Sequence, residues 1–309
     1  MRYKSRSILF VALFAILMLT IPSALAQETF GLSAEDFALF SSPNVDADSL
    51  GFDFAVDLNI TGAPDESVTM ALTGTGVIGM DAAGMPVADV SVTGTSTEAG
   101  TSTPVDLQFR LVDGILYMNL GDGSGWIGQP ADNMMDSLPV DPTDLGSMSE
   151  DPEAMAAMGE MMSALADMEV SQYITISRLD DMNNQAHFQL NVDLSGFLSS
   201  DAFTQMMGAA GSMTGDESMA GMGMMMAMMF QNMTLSYDQF VDLADNRIRQ
   251  GVVDFAMSVD PAMMGASDSD AEPVNIAFTL DVSNLQYDVP VSVTAPEDAM
   301  VIPDAASAG

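Results

Sequence analysis

The sequence predicts an α+β protein: a large antiparallel β-sheet, apolar on one face only, with helices laid over that face. Three observations carry this prediction. Long stretches alternate apolar and polar residues with period two, the pattern of strands that keep one side wet. Methionine-rich segments with helical spacing interrupt those stretches. A one-sided sheet must also bury its apolar face against another layer, and the methionine-rich segments are the material available for it.

The chain opens with Arg2, Lys4 and Arg6, then an apolar run over 8–21, then Ala24-Leu25-Ala26. Small residues at the two positions that a signal peptidase reads make 1–26 a secretory signal, cleaved before Gln27. The run is shorter than the roughly 20 residues of a spanning helix. No later segment is long and apolar enough to span, so 27–309 is expected to be one soluble, extracytoplasmic domain without stable membrane insertion. A short amphipathic segment, "SAEDFALF", occupies 33–40.

The strands follow. Phe52, Phe54, Val56, Leu58 and Ile60 alternate with Asp53, Ala55, Asp57 and Asn59. Val68, Met70 and Leu72 alternate with threonines and alanine, and Val105, Leu107, Phe109 and Leu111 with Asp106, Gln108 and Arg110. The pattern returns at Ala186, Phe188, Leu190, Val192 and Leu194, at Val253, Phe255, Met257 and Val259, and at Ile276, Phe278, Leu280 and Val282. "VDG" at 112–114 and "LADNR" at 243–247 have the composition of hairpin turns. "GDGSG" at 121–125 lacks the lysine of a phosphate loop and reads as a turn.

Helices are expected over 151–168, where Asp151 and Pro152 give a cap and a first-turn proline. Met155, Met158, Met162 and Leu165 then recur at spacings of three and four. A second helix is expected within 197–210 and a third over 217–231, with Met222, Met225, Met226 and Met229 as its stripe. Polar, Pro- or Gly-rich loops are expected near 131–150, 209–220 and 262–273.

Charge and composition narrow the function classes. The chain has 44 acidic and seven basic residues, and loss of the signal leaves four arginines and no lysine, a net −40. Such a field opposes nucleic acid and anionic membrane surfaces. One histidine, His187, on the polar side of its strand, and no cysteine argue against zinc sites and against Ser-His or Cys-His catalysis. No catalytic residue, metal site or cofactor is assigned. "DADSLGFDFAVD" at 46–57 matches a calcium loop in part, but Leu50 stands where an oxygen ligand belongs and the segment also reads as a strand.

The layout of a signal, alternating strands with interrupting helices, "RLVDGILYMNLGDGSGWI" at 110–127, and the closing "LQYDVPVSVTAPEDAMVIP" at 285–303 resembles the LppX/LprG-type lipoproteins. It resembles the LolA lipoprotein carriers more distantly. That resemblance implies a strongly curved antiparallel half-barrel, with helices over the concave face and a cavity for acyl chains between the layers. The lipidated cysteine of the lipoprotein members is missing here.

Within this frame "AGMGMMMAMMF" at 220–230 has three readings: core packing, an adaptable lining for a hydrophobic ligand, or a thioether site for Cu(I). The expected function is binding or transfer of a lipid or other hydrophobic molecule. The cavity candidates are Phe52, Phe54, Val56, Leu58, Phe109 and Phe278 on the sheet, with Met155, Met158, Met162, Met222, Met225, Met226 and Met229 on the helices. The alternatives are a Met-rich copper-binding protein and an envelope interaction domain with a solid core. No protein partner is identified.

Overall fold

The computed structural model describes residues 29–62, 67–131, 170–200, 203, 232–260 and 272–302. They form one 12-stranded sheet. In chain order the strands are β1 (Ser49–Thr61), β2 (Val68–Met80), β3 (Pro86–Glu98), β4 (Thr101–Val112), β5 (Ile115–Asn119) and β6 (Trp126–Pro130). After them come β7 (Ile174–Arg178), β8 (Gln185–Val192), β9 (Thr234–Asp242), β10 (Ile248–Val259), β11 (Val274–Tyr287) and β12 (Met300–Val301). Their spatial order is β12-β6-β5-β4-β3-β2-β1-β11-β10-β9-β8-β7, an open sheet with edges at β12 and β7. All pairs are antiparallel except β12–β6.

The predicted turns sit where their chemistry puts them. Asp113 and Gly114 join β4 to β5 with φ of 54° and 73°, the two left-handed positions of a tight primed hairpin turn. The 243–247 turn joins β9 to β10 and has Asn246 at φ 55°. One expected strand is shorter than its alternation: β8 ends at Val192, and Asp193 accepts a hydrogen bond from the Gly196 N–H. Leu194 therefore belongs to a short helix, α2 (Leu194–Leu198), which follows α1 (Ala34–Ser41) in the chain.

Because side chains in register share a face, the pairings define two surfaces. One row runs Ile176, Leu190, Tyr237, Val253, Leu280, Val56 and Leu72 across seven strands. None of these is more than 6% exposed, and they are the spine of the core. The opposite surface carries Asp53, Asp57, Asp238, Asp254 and Asp281. His187 lies there, as its neighbours in sequence predict, with Nε2 2.5 Å from Asp238 Oδ1 and its ring stacked on Phe240.

Part of the apolar face has a helical cover among the described residues. The α1 segment begins at Ser33, whose Oγ accepts the Asp36 N–H. Its Phe40 is fully buried and meets Phe188 edge-on at 5.7 Å, while Gln239 Nε2 donates to the Phe40 carbonyl. Arg178 pairs with Asp36 and with Asp181, fastening α1 to the edge strand β7. The expected Met-rich cover, 151–168 and 201–231 apart from Phe203, lies outside the described residues, as do the expected loops at 132–150, 209–220 and 262–271 and the signal at 1–26. Within the second expected helix, Phe197 contacts Phe203 at 5.4 Å.

The Arg178 pair predicts a pH dependence. Hydrogen bonds from Arg178 and then Ser33 hold the Asp36 carboxyl below its ordinary value of 3.8. A carboxyl depressed on folding stabilises above its unfolded pKa and loses that contribution as pH falls through its folded one. Docking of α1 is thus expected to be constant above 3.8 and to weaken below it. Protection factors for amides 37–41, measured at about pH 6 and about pH 3, check this. Equal protection at both would show that the ion pair does not hold α1.

Candidate functional site

The six sheet residues proposed from sequence all fall on the apolar surface. Val56 and Leu58 pair with Leu280 and Phe278 of β11, and Phe54 pairs with Val282. Phe52 reaches the row of Phe109 through Gly76 and Val90. The structure therefore places Phe52, Phe54, Val56, Leu58, Phe109 and Phe278 on one side of one sheet. The seven methionines proposed with them, Met155, Met158, Met162, Met222, Met225, Met226 and Met229, lie outside the described residues.

The rings of Phe52 and Phe54 lie along the sheet. Their cross-strand partners on β2 are Gly76 and Gly74, and a Cβ built on either glycine would stand 2.4 Å from the ring above it. With no side chains beneath them, the two rings settle over β2, their centroids 6.2 Å apart. Tyr237 does the same over Gly251 of β10, where a Cβ would be 3.2 Å from Cε2 and 3.1 Å from the phenol oxygen. The alternation "TGTG" at 73–76, opposite "FDF" at 52–54, is the sequence trace of this flat aromatic floor. Sequence reasoning took the phenylalanines and missed the glycines that position them.

A bulge keeps the face continuous at the far end of β11. Between the pairs Gly51–Gln286 and Asp53–Ser283, β11 carries one more residue than β1. Asn284 there adopts φ 51° and donates through Nδ2 to Asp53 Oδ2 on the polar side. The extra residue shifts the phase, so Leu285 returns to the apolar cluster at 3% exposure, with Tyr287 packed against it.

Polar groups on this face are few. Gln239 and Tyr237 are the buried ones, and Arg178 lies at its edge over the Phe188 ring. All four arginines after the signal are engaged: Arg110 with Asp89, Arg178 with Asp36 and Asp181, Arg247 with Asp288, and Arg249 with Asp242 and Asp245. A cavity of about 320 Å³ lies elsewhere, lined by Gln185, Arg249, Gln250, Asn284, Leu285 and Gln286, none of them a proposed cavity residue. Among the described residues no three His, Cys, Asp or Glu are placed to hold a metal ion, and no helix is long and apolar enough to cross a membrane.

No family model and no curated protein matches the chain. Among solved structures, LprF from Mycobacterium bovis is similar at 11% identity and a TM-score of 0.28, over 80% of this chain and 89% of LprF. Lipovitellin, described for its lipid–protein interactions, is similar at 9% identity and a TM-score of 0.32, over 82% of this chain but only 27% of lipovitellin. A β-barrel-like protein of a domain of unknown function from Brucella abortus is similar at 10% identity and a TM-score of 0.16, over 79% of this chain and 99% of that one.

Proposed function

We propose that the apolar face binds a lipid or other hydrophobic molecule, without catalysis, in an extracytoplasmic protein released by cleavage near Ala26. In this reading the Met-rich segments, with Met155, Met158, Met162, Met222, Met225, Met226 and Met229, form the other wall of the site.

One observation supports it above the rest. In a core closed on every side, Phe is buried as completely as Val, Leu and Ile. Here the spine consists mostly of Val, Leu and Ile, and Phe40 and Phe188 are fully buried where α1 docks, while the large rings of Phe52, Phe54, Phe109 and Phe278 remain only half-buried. A row of half-covered aromatic side chains on a continuous apolar face is suited to an apolar ligand.

The burial of the spine favours a second reading, an envelope interaction domain whose two layers meet without a gap. Val56 separates the two readings, because it is 6% exposed between Leu72 and Leu280. Under the first reading the purified protein takes up Nile red, an uncharged apolar dye, with a rise in fluorescence. Val56→Phe then weakens that uptake and leaves the melting temperature nearly unchanged. Absence of uptake in the parent protein, with a loss of about 1–3 kcal/mol in Val56→Phe from overpacking, establishes the sealed core instead.

A further inference from the structure

We propose that Tyr237 and Gln239 form a polar anchor within the apolar face that takes the hydroxyl group of an uncharged long-chain lipid. The inference rests on the reading of that face as a lipid-binding surface, and it names the ligand class.

Both residues belong to β9 and, two apart, project to the same side. Gln239 is fully buried and Tyr237 is 5% exposed. Gln239 Nε2 is engaged with the Phe40 carbonyl of α1, but among the described residues Gln239 Oε1 has no hydrogen-bond partner, and neither has the Tyr237 hydroxyl. Their surroundings are apolar: Val253 is the cross-strand neighbour of Tyr237, and Phe188 that of Gln239. Unpaired buried polar groups are rare in folded proteins because each loses its water without replacement. Two on neighbouring positions of one face, in the interior of the sheet, call for a common partner.

Geometry brings the two groups together. Gly251 is the cross-strand partner of Gln239, and the Tyr237 ring leans over that glycine, its oxygen 3.1 Å from where a Cβ would stand. The phenol oxygen therefore lies beside the Gln239 position, on the same floor. The Tyr237 hydroxyl can donate or accept, whereas Gln239 Oε1 only accepts. A hydroxyl matches both at once: its oxygen accepts from the Tyr237 O–H, and its own proton is donated to Gln239 Oε1. An ionised carboxylate or a phosphodiester fits poorly, because neither has a proton to donate to Oε1. The arginine at the edge of this face is also held by Asp36 and Asp181. Burial pushes the Tyr237 phenol pKa up, which keeps it a neutral donor.

The test is displacement of bound Nile red by dodecanol, dodecane and dodecanoic acid, from the parent protein and from Tyr237→Phe. The substitution keeps the ring over Gly251 and removes only the hydroxyl. In the parent, dodecanol is expected to displace the dye at a concentration about ten-fold lower than dodecane, the scale of one net hydrogen bond. In Tyr237→Phe that advantage disappears, while the melting temperature is kept or raised because an unpaired buried group is gone. Displacement by dodecanol and dodecane at equal concentration overturns the anchor and leaves the apolar surface standing, as does a preference for dodecanoic acid. A destabilised Tyr237→Phe that retains the dodecanol advantage shows that the phenol has an internal partner, and also overturns it. Failure of the parent to bind Nile red at all removes the surface itself.

Discussion

Replacing Phe188 by alanine is expected to destabilise the protein by about 3–5 kcal/mol, the range for a large aromatic side chain removed from a closed core. Phe188 is 0% exposed and sits between Arg178 of β7 and Gln239 of β9. Phe40 of α1 meets its edge and is itself 0% exposed, so neither neighbour can close the space without moving the helix. The loss should therefore appear twice. In urea the unfolding midpoint falls with little change in slope, because the surface exposed on unfolding is nearly the same. Native-state hydrogen exchange accelerates in 37–41, because α1 loses its main apolar contact. Phe40→Ala should behave alike, and the pair should be coupled by about 0.5–1.5 kcal/mol in a double-mutant cycle, the worth of an edge-on aromatic contact beyond its area. A loss below about 1 kcal/mol with unchanged exchange would mean that α1 does not dock on the sheet.

The role of Phe188 illustrates what the sequence makes legible. Its alternation with His187 and Gln189 assigns it to the apolar side, and the structure agrees, because a strand's side-chain period is fixed by its geometry. The hairpin at Asp113-Gly114 is legible for the same local reason, since few residue pairs tolerate two left-handed positions. The partner of Phe188 is not legible. Phe40 lies far away in sequence, and nothing near either residue records the contact. The same holds for β1, which pairs with β11 across most of the chain, and for β12, two residues that join β6 in parallel. Strand β3 escaped notice because its "SVTGTST" run offers small hydroxyl residues and glycine where a strand pattern usually shows bulk. It is held by its neighbours on both sides, not by its own propensity. The floor of the candidate site was half legible. Phenylalanines announce an apolar face, but Gly74 and Gly76 acquire meaning only when the register sets them under Phe54 and Phe52. Tyr237 and Gln239 carried no signal, because a buried unpaired group is defined by what surrounds it.

The two glycines give the second large effect, and they differ in an instructive way. The three atoms nearest a Cβ at Gly76 all belong to the Phe52 ring, at 2.4, 2.8 and 2.9 Å. At Gly74 it would stand 2.4 Å from Phe54 Cζ and also 2.4 Å from the Ser91 carbonyl oxygen, part of the β3 backbone. A ring at the end of a side chain can rotate away, whereas a ladder carbonyl can retreat only by spreading β2 from β3. Gly74→Ala is therefore expected to cost about 3 kcal/mol, the upper end of overpacking, and Gly76→Ala about 1 kcal/mol. Trimming the ring tests the cause: Phe52→Leu should restore most of the stability lost in Gly76→Ala, while Phe54→Leu should restore only part of that lost in Gly74→Ala. The milder substitution then probes function in a folded protein. Lifting the Phe52 ring off β2 moves it into the space above the floor, so Gly76→Ala should bind Nile red more weakly than the parent, with Phe52→Leu in the same chain reversing the defect. Unchanged dye binding in a stable Gly76→Ala would place the ligand away from this end of the sheet. Equal costs at the two glycines would show that the Ser91 carbonyl yields as readily as a ring, and that β2 and β3 are less firmly paired than their register implies.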